Sequence, residues 1–406
     1  MNNKPLRIIF LVEFVHEQGT YFRWHNLAIG LQARGHYVTV YGVDWNRHST
    51  SRIEYRDRVE YHILSTFRGL GVFTPSTNPL NFIRRLVVKY PACDIVQTFQ
   101  PFPFSTYIGW YLKRIGKAKA FCYDWDDLWI NGLYKKPLRR LIDIISYPLV
   151  HHTEKRFPAR ADAVMVCSGY LRDLAQSAGS RRVFIVHNGF WSSSPMDKQQ
   201  ARTLLGLRAD SVYAGFMGRT LSELSWCLKA MQSLHEQDHG HRVRLALCGM
   251  PADALNQLPP NVAAQIDYLG QLSPANCRVF ASAIDLGLMP LENNAFNQSR
   301  FPIKYAEYQA SSTPVLYSQV GECSTIDQHF DWNITAGNTE QQFIDRFIST
   351  MLDVLVTSTF SLVKVDRLAN FLSWDLLAEQ LETNYSSLVI DNLVDKTQGL
   401  CKRMSV

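Results

Sequence analysis

The stretch "LRIIFLVEFVHEQGTYFRWHNLAIGLQARGHYVTVYG", residues 6–42, decides the fold class. It opens on "LRIIFLVEF" (6–14), an almost continuous apolar and β-branched run, as a strand buried on both faces requires. "HEQGT" (16–20) then breaks the chain, and "YFRWHNLAIGLQARG" (21–35) places Phe22, Leu27 and Leu31 on helical spacing. Gly35 ends that helix, and "YVTVYG" (37–42) begins a second strand.

Further along the chain the same unit returns. "DIVQTF" (94–99), "KAFCYDW" (119–125), "DAVMVCS" (162–168) and "RVFIVHN" (182–188) are short apolar strands with helical segments between them. After "HNGFWSSSPMD" (187–197) the pattern restarts with "SVYAGFMG" (211–218), "VRLALCGM" (243–250), "AQIDYLG" (264–270), "DLGLMPL" (285–291) and "TPVLYS" (313–318). "SWCLKAMQSLHEQ" (225–237) and "CRVFASA" (277–283) read as intervening helices. Strands alternating with helices predict doubly wound parallel sheets. The restart predicts two of them, with a seam near residues 190–210. Open α/β sheets bind ligands at the carboxyl ends of their strands, so two such domains facing each other would share one cleft.

Composition agrees with this reading and excludes others. The 406 residues suggest two domains at the usual ~100–200 residues each. Hydrophobic residues at 46% and charged residues at 19% exclude a disordered, collagenous or coiled-coil chain. Eight cysteines, at 93, 122, 167, 227, 248, 277, 323 and 401, contain no Cys-x-x-Cys and sit in apolar surroundings. They read as buried small hydrophobes rather than as a disulfide frame or a zinc site. No apolar run reaches the ~18–20 residues that cross a bilayer, and "IIFLVEF" is cut by Glu13, so a cytoplasmic location is expected.

Charge is uneven. Residues 1–190 carry 26 Lys+Arg against 14 Asp+Glu, a net of +12, whereas residues 191–406 carry a net of −6. A basic half is suited to an anionic neighbour. In it, "FIRRLVVKY" (82–90), "YLKRIGKAKAF" (111–121) and "LYKKPLRRLIDIISYPLVHHTEKRF" (133–157) mix cations with apolar residues at helical spacings. Such faces suit an anionic membrane surface, at ~1 kcal/mol per cation, or are ordinary solvated helix faces. No nucleic-acid-binding module is present, so no nucleic-acid partner is expected.

Four places could carry chemistry. Gly19 in "HEQGTY" (16–21) would let backbone N–H groups approach a phosphate at a helix N-terminus, or it is a plain turn glycine. No Gly-x-Gly-x-x-Gly follows a strand, which weighs against a dinucleotide-dependent dehydrogenase. "FCYDWDDLW" (121–129) puts Asp124, Asp126 and Asp127 at a strand end. They could hold a divalent metal, cap a helix, or orient an acceptor hydroxyl. Arg219 in "GFMGRTLSE" (215–223) follows a strand and a Gly turn, where its planar fork suits phosphate oxygens.

The richest place is "NNAFNQSRFPIKYAEYQASSTPVLYS" (293–318). Pro302 suits a first helical turn, and Lys304 would lie in that turn. A cation there is disfavoured by ~0.3–1 kcal/mol unless an anion is present. Glu307, one turn on, could take ribose hydroxyls while Lys304 takes phosphates. An intrahelical Lys304–Glu307 pair, worth ~0.2–0.5 kcal/mol, is the alternative.

Together these segments resemble a GT-B glycosyltransferase, and most of all the retaining glycosyltransferase family 4 group. In the first half the resemblance rests on "GTYFRWHNLAIGLQARGHYVTVYG", "DIVQTFQP", "YDWDDLW", "ADAVMVCSGYLRDLA" and "VHNGF". In the second it rests on "GFMGRT", "LALCGM", "IDYLGQLSPANCRVFASAIDLGLMPL", "FPIKYAEYQASSTPVLYS" and "GE". "FLSWDLLAEQLETNYSSL" (371–388) resembles the family's last helix. The fold this implies is two Rossmann-like α/β domains facing across a cleft, with a C-terminal helix returning to the N-terminal domain. The domains would be an acceptor domain of residues 1–192 with 372–406, and a donor domain of residues 205–371, with a hinge at Asn188–Gly189.

The resemblance also implies a reaction, the transfer of a sugar from a nucleotide diphosphate sugar to a hydroxyl of a glycan or lipid-linked acceptor. Retention is implied, no cofactor or metal is needed, and surface polysaccharide or glycolipid assembly at the inner face of the plasma membrane would use it. Glu307 then corresponds to the second Glu of the family's Glu-x7-Glu motif, and Arg219 to the arginine on the donor diphosphate. Lys304 corresponds to the lysine ahead of that Glu, Gly19 to the phosphate-side glycine loop, and Asp127 to an acidic position on the acceptor side. Charge building on the leaving diphosphate would be met by Arg219, Lys304 and the Gly19 backbone.

Three departures stand out. Ser299 replaces the motif's first Glu in the donor site, with Glu292 nearby. "ELS" (223–225) stands where a lysine is expected about five residues after Arg219, and Gln97 stands where many members have a His. They leave room for a catalytically silent scaffold subunit. A two-domain α/β enzyme such as a sugar-nucleotide epimerase is the remaining alternative.

Overall fold

The structure is a computed structural model. It describes residues 4–404 apart from 18, 45–49, 68–77, 131–140, 193–194, 220, 238–241, 251–254, 256–257, 259, 328–332 and 358–370. The chain divides into two compact units, residues 1–187 with 374–406, and residues 188–373.

In the first unit the strands are β1 (Arg7–Phe14), β2 (Tyr37–Val43), β3 (Arg52–Arg56), β4 (Val59–Leu64), β5 (Cys93–Phe99), β6 (Ala118–Trp125), β7 (Ala163–Val166) and β8 (Val183–Ile185). The helices are α1 (Tyr21–Ala33), α2 (Pro79–Leu86), α3 (Pro103–Arg114), α4 (Leu141–Arg156) and α5 (Gly169–Ser177). The sheet runs β3-β4-β2-β1-β5-β6-β7-β8, parallel except for β3 against β4. β1 is central, and residues 8–13 are buried throughout, because helices cover both faces of a parallel sheet. From β1 the chain winds to β2 on one side and later to β5 on the other. The carboxyl ends of β1 and β5 therefore form the switch point where doubly wound sheets take ligands.

The β3–β4 hairpin was not expected. β3 is a half-exposed edge, and Asp57 and Arg58 both take positive φ (47° and 67°) at its turn. Polar alternation in "RIEYR" and a turn without Gly conceal it in the sequence. α1 also differs from expectation in which face it buries. Trp24, Leu27, Ala28 and Leu31 face the core together with Arg23 and His25, whereas Phe22 is partly exposed.

Arg23 and Asp124 are fully buried and pair through Nε–Oδ1 (2.8 Å) and Nη2–Oδ2 (3.0 Å). Arg23 Nη1 also donates to the Val186 carbonyl at 2.7 Å, and Gln97 Nε2 donates to Asp124 at 3.2 Å. The Tyr385 hydroxyl in turn donates to Gln97 at 2.6 Å. Tyr385 lies on the last helix, α14 (Trp374–Met404), which packs on α1 and buries Leu377, Leu381, Tyr385 and Leu388. The side chain that replaces the family's usual His thus joins the C-terminal helix to the centre of the sheet. A second buried pair, Arg85–Glu13 (2.9 Å), draws α2 onto β1.

The second unit holds β9 (Val212–Met217), β10 (Val243–Cys248), β11 (Ile266–Tyr268), β12 (Leu286–Met289), β13 (Val315–Tyr317) and β14 (Ile334–Thr335). Its helices are α6 (Lys198–Leu205), α7 (Leu221–His235), α8 (Pro260–Ala263), α9 (Pro274–Ala283), α10 (Ala295–Ser299), α11 (Ile303–Ala310), α12 (Glu322–Asp327) and α13 (Glu340–Thr357). The order is β11-β10-β9-β12-β13-β14, with every observed pairing parallel, and β14 is a short edge strand the sequence did not signal. Here β9 is the first strand, and the switch point lies at the carboxyl ends of β9 and β12. Phe216, Leu245, Leu247, Leu288 and Leu316 lie in one buried cluster with α7 and α13.

Cys93, Cys122, Cys167, Cys227, Cys248 and Cys323 are buried, Cys277 is partly buried, and none of these seven forms a disulfide. No described helix is long and apolar enough to cross a membrane.

Candidate active site

In the second unit the site is built at the β9–β12 switch point. β9 ends at Met217, and Gly218 turns the chain into α7 with its N–H on the Cys248 carbonyl (3.1 Å). Gly249 (φ +87°) packs against that turn so closely that a Cβ there would lie 2.9 Å from the Gly218 oxygen. Arg219 follows in a bend and is exposed.

On the other side, Pro302 is the N-cap of α11 with extended backbone, so Lys304 is the second helical residue. Its Nζ sits 4.8 Å from the Phe216 ring centroid and would be 3.6 Å from a Cβ at Gly218. The structure thus brings Lys304 to the turn that presents Arg219. The anion that favours a cation in this first turn is the Glu223 carboxylate, 2.6 Å from Nζ. Glu307 is not its partner, so the intrahelical pair expected as the alternative does not form.

Glu307 instead faces Arg278 of α9, with Nε 4.0 Å from Oε2, and Oε2 has no hydrogen-bond partner. Burial pushes the Glu307 carboxyl up to about 7, against the lowering effect of Arg278. A mostly covered carboxylate with an unused oxygen is the group that two vicinal hydroxyls would satisfy.

Ser299 is corrected. It is fully buried and donates its hydroxyl to the Phe296 carbonyl (2.7 Å), so it has no exposed surface to offer a donor. Glu292 is exposed, and its side chain accepts from Asn294 (3.2 Å). Sequence reasoning passed over Arg278, Arg300 and Glu223 as site residues. Glu223 was visible only within the "ELS" departure from the motif, and Arg300 was not singled out.

In the first unit the β1 and β5 ends bring together Gly19, Thr20, Gln100 and Asp126. Gly19 has φ +58°, so the tight-turn reading accounts for a glycine there. Gln100, also at positive φ (65°), donates its amide to the Thr20 hydroxyl. The Asp126 carboxylate lies against both; it is buried, and its Oδ1 lacks a partner. Burial raises its pKa, with Arg23 and the Thr20 and Gln100 bonds opposing.

Asp127 is half-buried in the following bend, its carbonyl accepting from Trp125 Nε1 at 3.0 Å, and it caps no described helix. Glu154 secures the segment by accepting from the Trp129 and Ile130 amides (2.7 Å each). Of the three aspartates, Asp124 is spent on Arg23, while Asp126 and Asp127 remain at the strand end. Nothing in the residue pattern separates Asp126 from Asp127.

The basic stretches are partly consumed within the fold. Arg85 of "FIRRLVVKY" faces inward to Glu13, which corrects its expected place on a solvent-facing surface. Lys113 pairs with Asp162 (2.9 Å) and Lys119 with Asp94 (2.6 Å), and Lys117 donates to the Tyr90 carbonyl (2.9 Å). Lys135, Lys136, Arg139 and Arg140 lie outside the described residues. The end of α4 is different. Tyr147, Pro148, His151, His152, Lys155 and Arg156 line an open depression of about 500 Å³.

The family descriptions "Glycosyltransferase Family 4" and "Glycosyl transferases group 1" match residues 19–190 and 210–353. Together they take in most of the chain and both switch points. The chain belongs to the GT-B glycosyltransferases. Among solved GT-B-like structures, sucrose-phosphate synthase of Thermosynechococcus elongatus superposes with a TM-score of 0.71 at 16% identity, covering 95% of this chain and all of that one. HepE of Anabaena, solved with UDP-glucose, superposes with a TM-score of 0.65 at 15% identity over 94% of this chain and all of that one. Among curated proteins, a Bacillus subtilis (strain 168) glycosyltransferase named for teichuronic acid biosynthesis, TuaH, is 24% identical over 266 residues. That match spans 62% of this glycosyltransferase and 62% of TuaH.

Proposed function

We propose that this glycosyltransferase moves a sugar from a nucleotide diphosphate sugar to a hydroxyl of a glycan or lipid-linked acceptor in surface polysaccharide or glycolipid assembly. The observation that carries the donor half is the meeting of Lys304 with the Gly218–Arg219 turn at the β9–β12 switch point, with Glu307 one turn along the same helix. In this reading Arg219 and Lys304 take the diphosphate and Glu307 takes the ribose hydroxyls. As the donor bond breaks, negative charge grows on the leaving phosphate, and cations already in place stabilise it without a metal ion. In the first unit the Gly19 loop offers backbone N–H groups to a phosphate, and the Asp126–Asp127 end of β6 orients the acceptor hydroxyl.

Retention rests on the family resemblance. A polysaccharide role draws support from the likeness to TuaH. An anionic, membrane-borne acceptor is supported by the α4 depression with Lys155 and Arg156, and by α2. There Leu80, Ile83, Leu86 and Val87 are exposed beside the exposed Lys89. Such a surface would hold the enzyme on the cytoplasmic face of a membrane. Gln97 and Ser299, which suggest a silent subunit, are engaged in packing in this chain, and the intact Arg219, Lys304 and Glu307 favour an active enzyme.

The test is calorimetric titration of UDP, GDP, ADP and CDP without metal. One of them is expected to bind, and Glu307→Ala to weaken it at least tenfold, the ~1.5–3 kcal/mol of a charged hydrogen bond. Equal binding by the variant would remove Glu307 from the site.

A pH dependence follows. With its carboxyl raised to about 7, Glu307 is largely protonated at pH 6 and ionised at pH 8. Only the carboxylate accepts from both hydroxyls, so nucleotide affinity should rise with pH, by up to about tenfold per unit below 7. Glu307→Gln should lose that dependence and keep only the titration of the phosphate itself. An identical pH profile in the variant would contradict the assignment.

A further inference from the structure

Two groups at the donor site, the buried Glu223 and the partly buried Arg300, have no part in the reaction as described above. Glu223 lies in the first turn of α7, where a helix N-terminus favours a carboxylate. It is 4% exposed and accepts from Lys304 Nζ (2.6 Å) and from Arg300 Nη2. Burial disfavours its charge, but Lys304 and Arg300 more than offset this and hold the carboxyl below its ordinary range. One carboxylate therefore serves two cations and leaves the trio with a net positive charge.

Arg300 follows α10 directly and stacks over Phe296, 4.9 Å from the ring centroid. Its Nε is buried without a hydrogen-bond partner. A guanidinium carries five N–H donors in a rigid fork, and a carboxylate shared with Lys304 does not exhaust them. A carboxylate at position 223 would by itself repel a diphosphate, yet its charge is covered from both sides.

We propose that Arg300 is a third cation of the donor's diphosphate site, in addition to Arg219 and Lys304, and is held beside Lys304 by Glu223. It takes the place of the lysine absent after Arg219. Glu223 is a positioning residue that acts through the two cations. Lys304 supplies a point charge, whereas the Arg300 fork suits two phosphate oxygens at once. The inference rests on the reading that the β9–β12 switch point binds a nucleoside diphosphate.

The experiment titrates UDP, GDP, ADP, CDP and the matching monophosphates into wild type, Arg300→Ala, Arg300→Gln and Arg300→Lys, with melting temperatures recorded. Arg300→Ala and Arg300→Gln should weaken the preferred diphosphate at least tenfold and its monophosphate less than threefold. Arg300→Lys, which keeps the charge but not the fork, should recover only part of the loss. Arg300→Gln keeps most of the stem over Phe296 and serves if the alanine variant does not fold. A residue needed only to neutralise Glu223 would lower the melting temperature and leave the diphosphate-to-monophosphate ratio unchanged, and that result would overturn the proposal. If wild type binds none of the diphosphates, the donor-site reading fails and Arg300's role with it. Binding by wild type and equal binding by the variants would sink this inference alone.

Discussion

Asp124→Ala is expected to cost the first unit ~3–5 kcal/mol, the penalty for leaving a buried charge without its partner. Arg23 and Asp124 are both fully buried, and Arg23 cannot shed its proton to escape. Burial alone would lower the guanidinium pKa, but Asp124 reverses this and raises it. A loss of that size is a large share of the ~5–15 kcal/mol that domains usually possess. Replacing both partners, as in Arg23→Met with Asp124→Leu, should recover part of it, since an apolar pair removes both buried charges. Recovery stays incomplete because the Val186 carbonyl and the Gln97 amide each lose a partner. Native-state hydrogen exchange on β5 and β6 amides measures the opening free energy of this unit directly. A change below 1 kcal/mol in Asp124→Ala would show that the pair contributes little.

The second large effect is on turnover. Lys304→Met is expected to lower kcat by about 10²–10³, the cost of removing one preorganised charge that acts on a developing anion. The fall should appear mainly in kcat, because the leaving phosphate carries more charge in the transition state than in the bound donor. Folding should survive, since Arg300 still pairs with Glu223 and a methionine can keep the contact with Phe216. Single-turnover assays with the nucleotide sugar identified by titration measure this directly. A kcat within threefold of wild type would place the leaving-group charge elsewhere.

Periodicity alone carried the two-sheet architecture. "LRIIFLVEF" and "SVYAGFMG" read as buried parallel strands because helices cover both faces, which forces an unbroken apolar run. The β3–β4 hairpin escaped because an edge strand faces solvent and needs no such run. Arg219 and Lys304 could be singled out because they stand after a strand end and in a first helical turn, where backbone geometry gives a side chain its direction, and Glu307 because it lies one turn beyond Lys304. Arg23 was not legible. On α1 it lies among buried apolar residues, and only its partner on β6, 101 positions away, explains a charge there.

What the sequence by itself determined is therefore local and repetitive: which segments are strands and helices, that there are two doubly wound sheets, and which motif residues stand near their ends. What the tertiary structure decided is which charges meet. Glu223 pairs with Lys304 and Arg300 across 81 and 77 residues, Gln97 joins Tyr385 across 288, and Ser299 turns inward. Hydrophobic period is written in neighbouring residues, so it can be read along the chain. A buried ion pair is set by two distant segments packing together, and either partner alone looks like any surface charge.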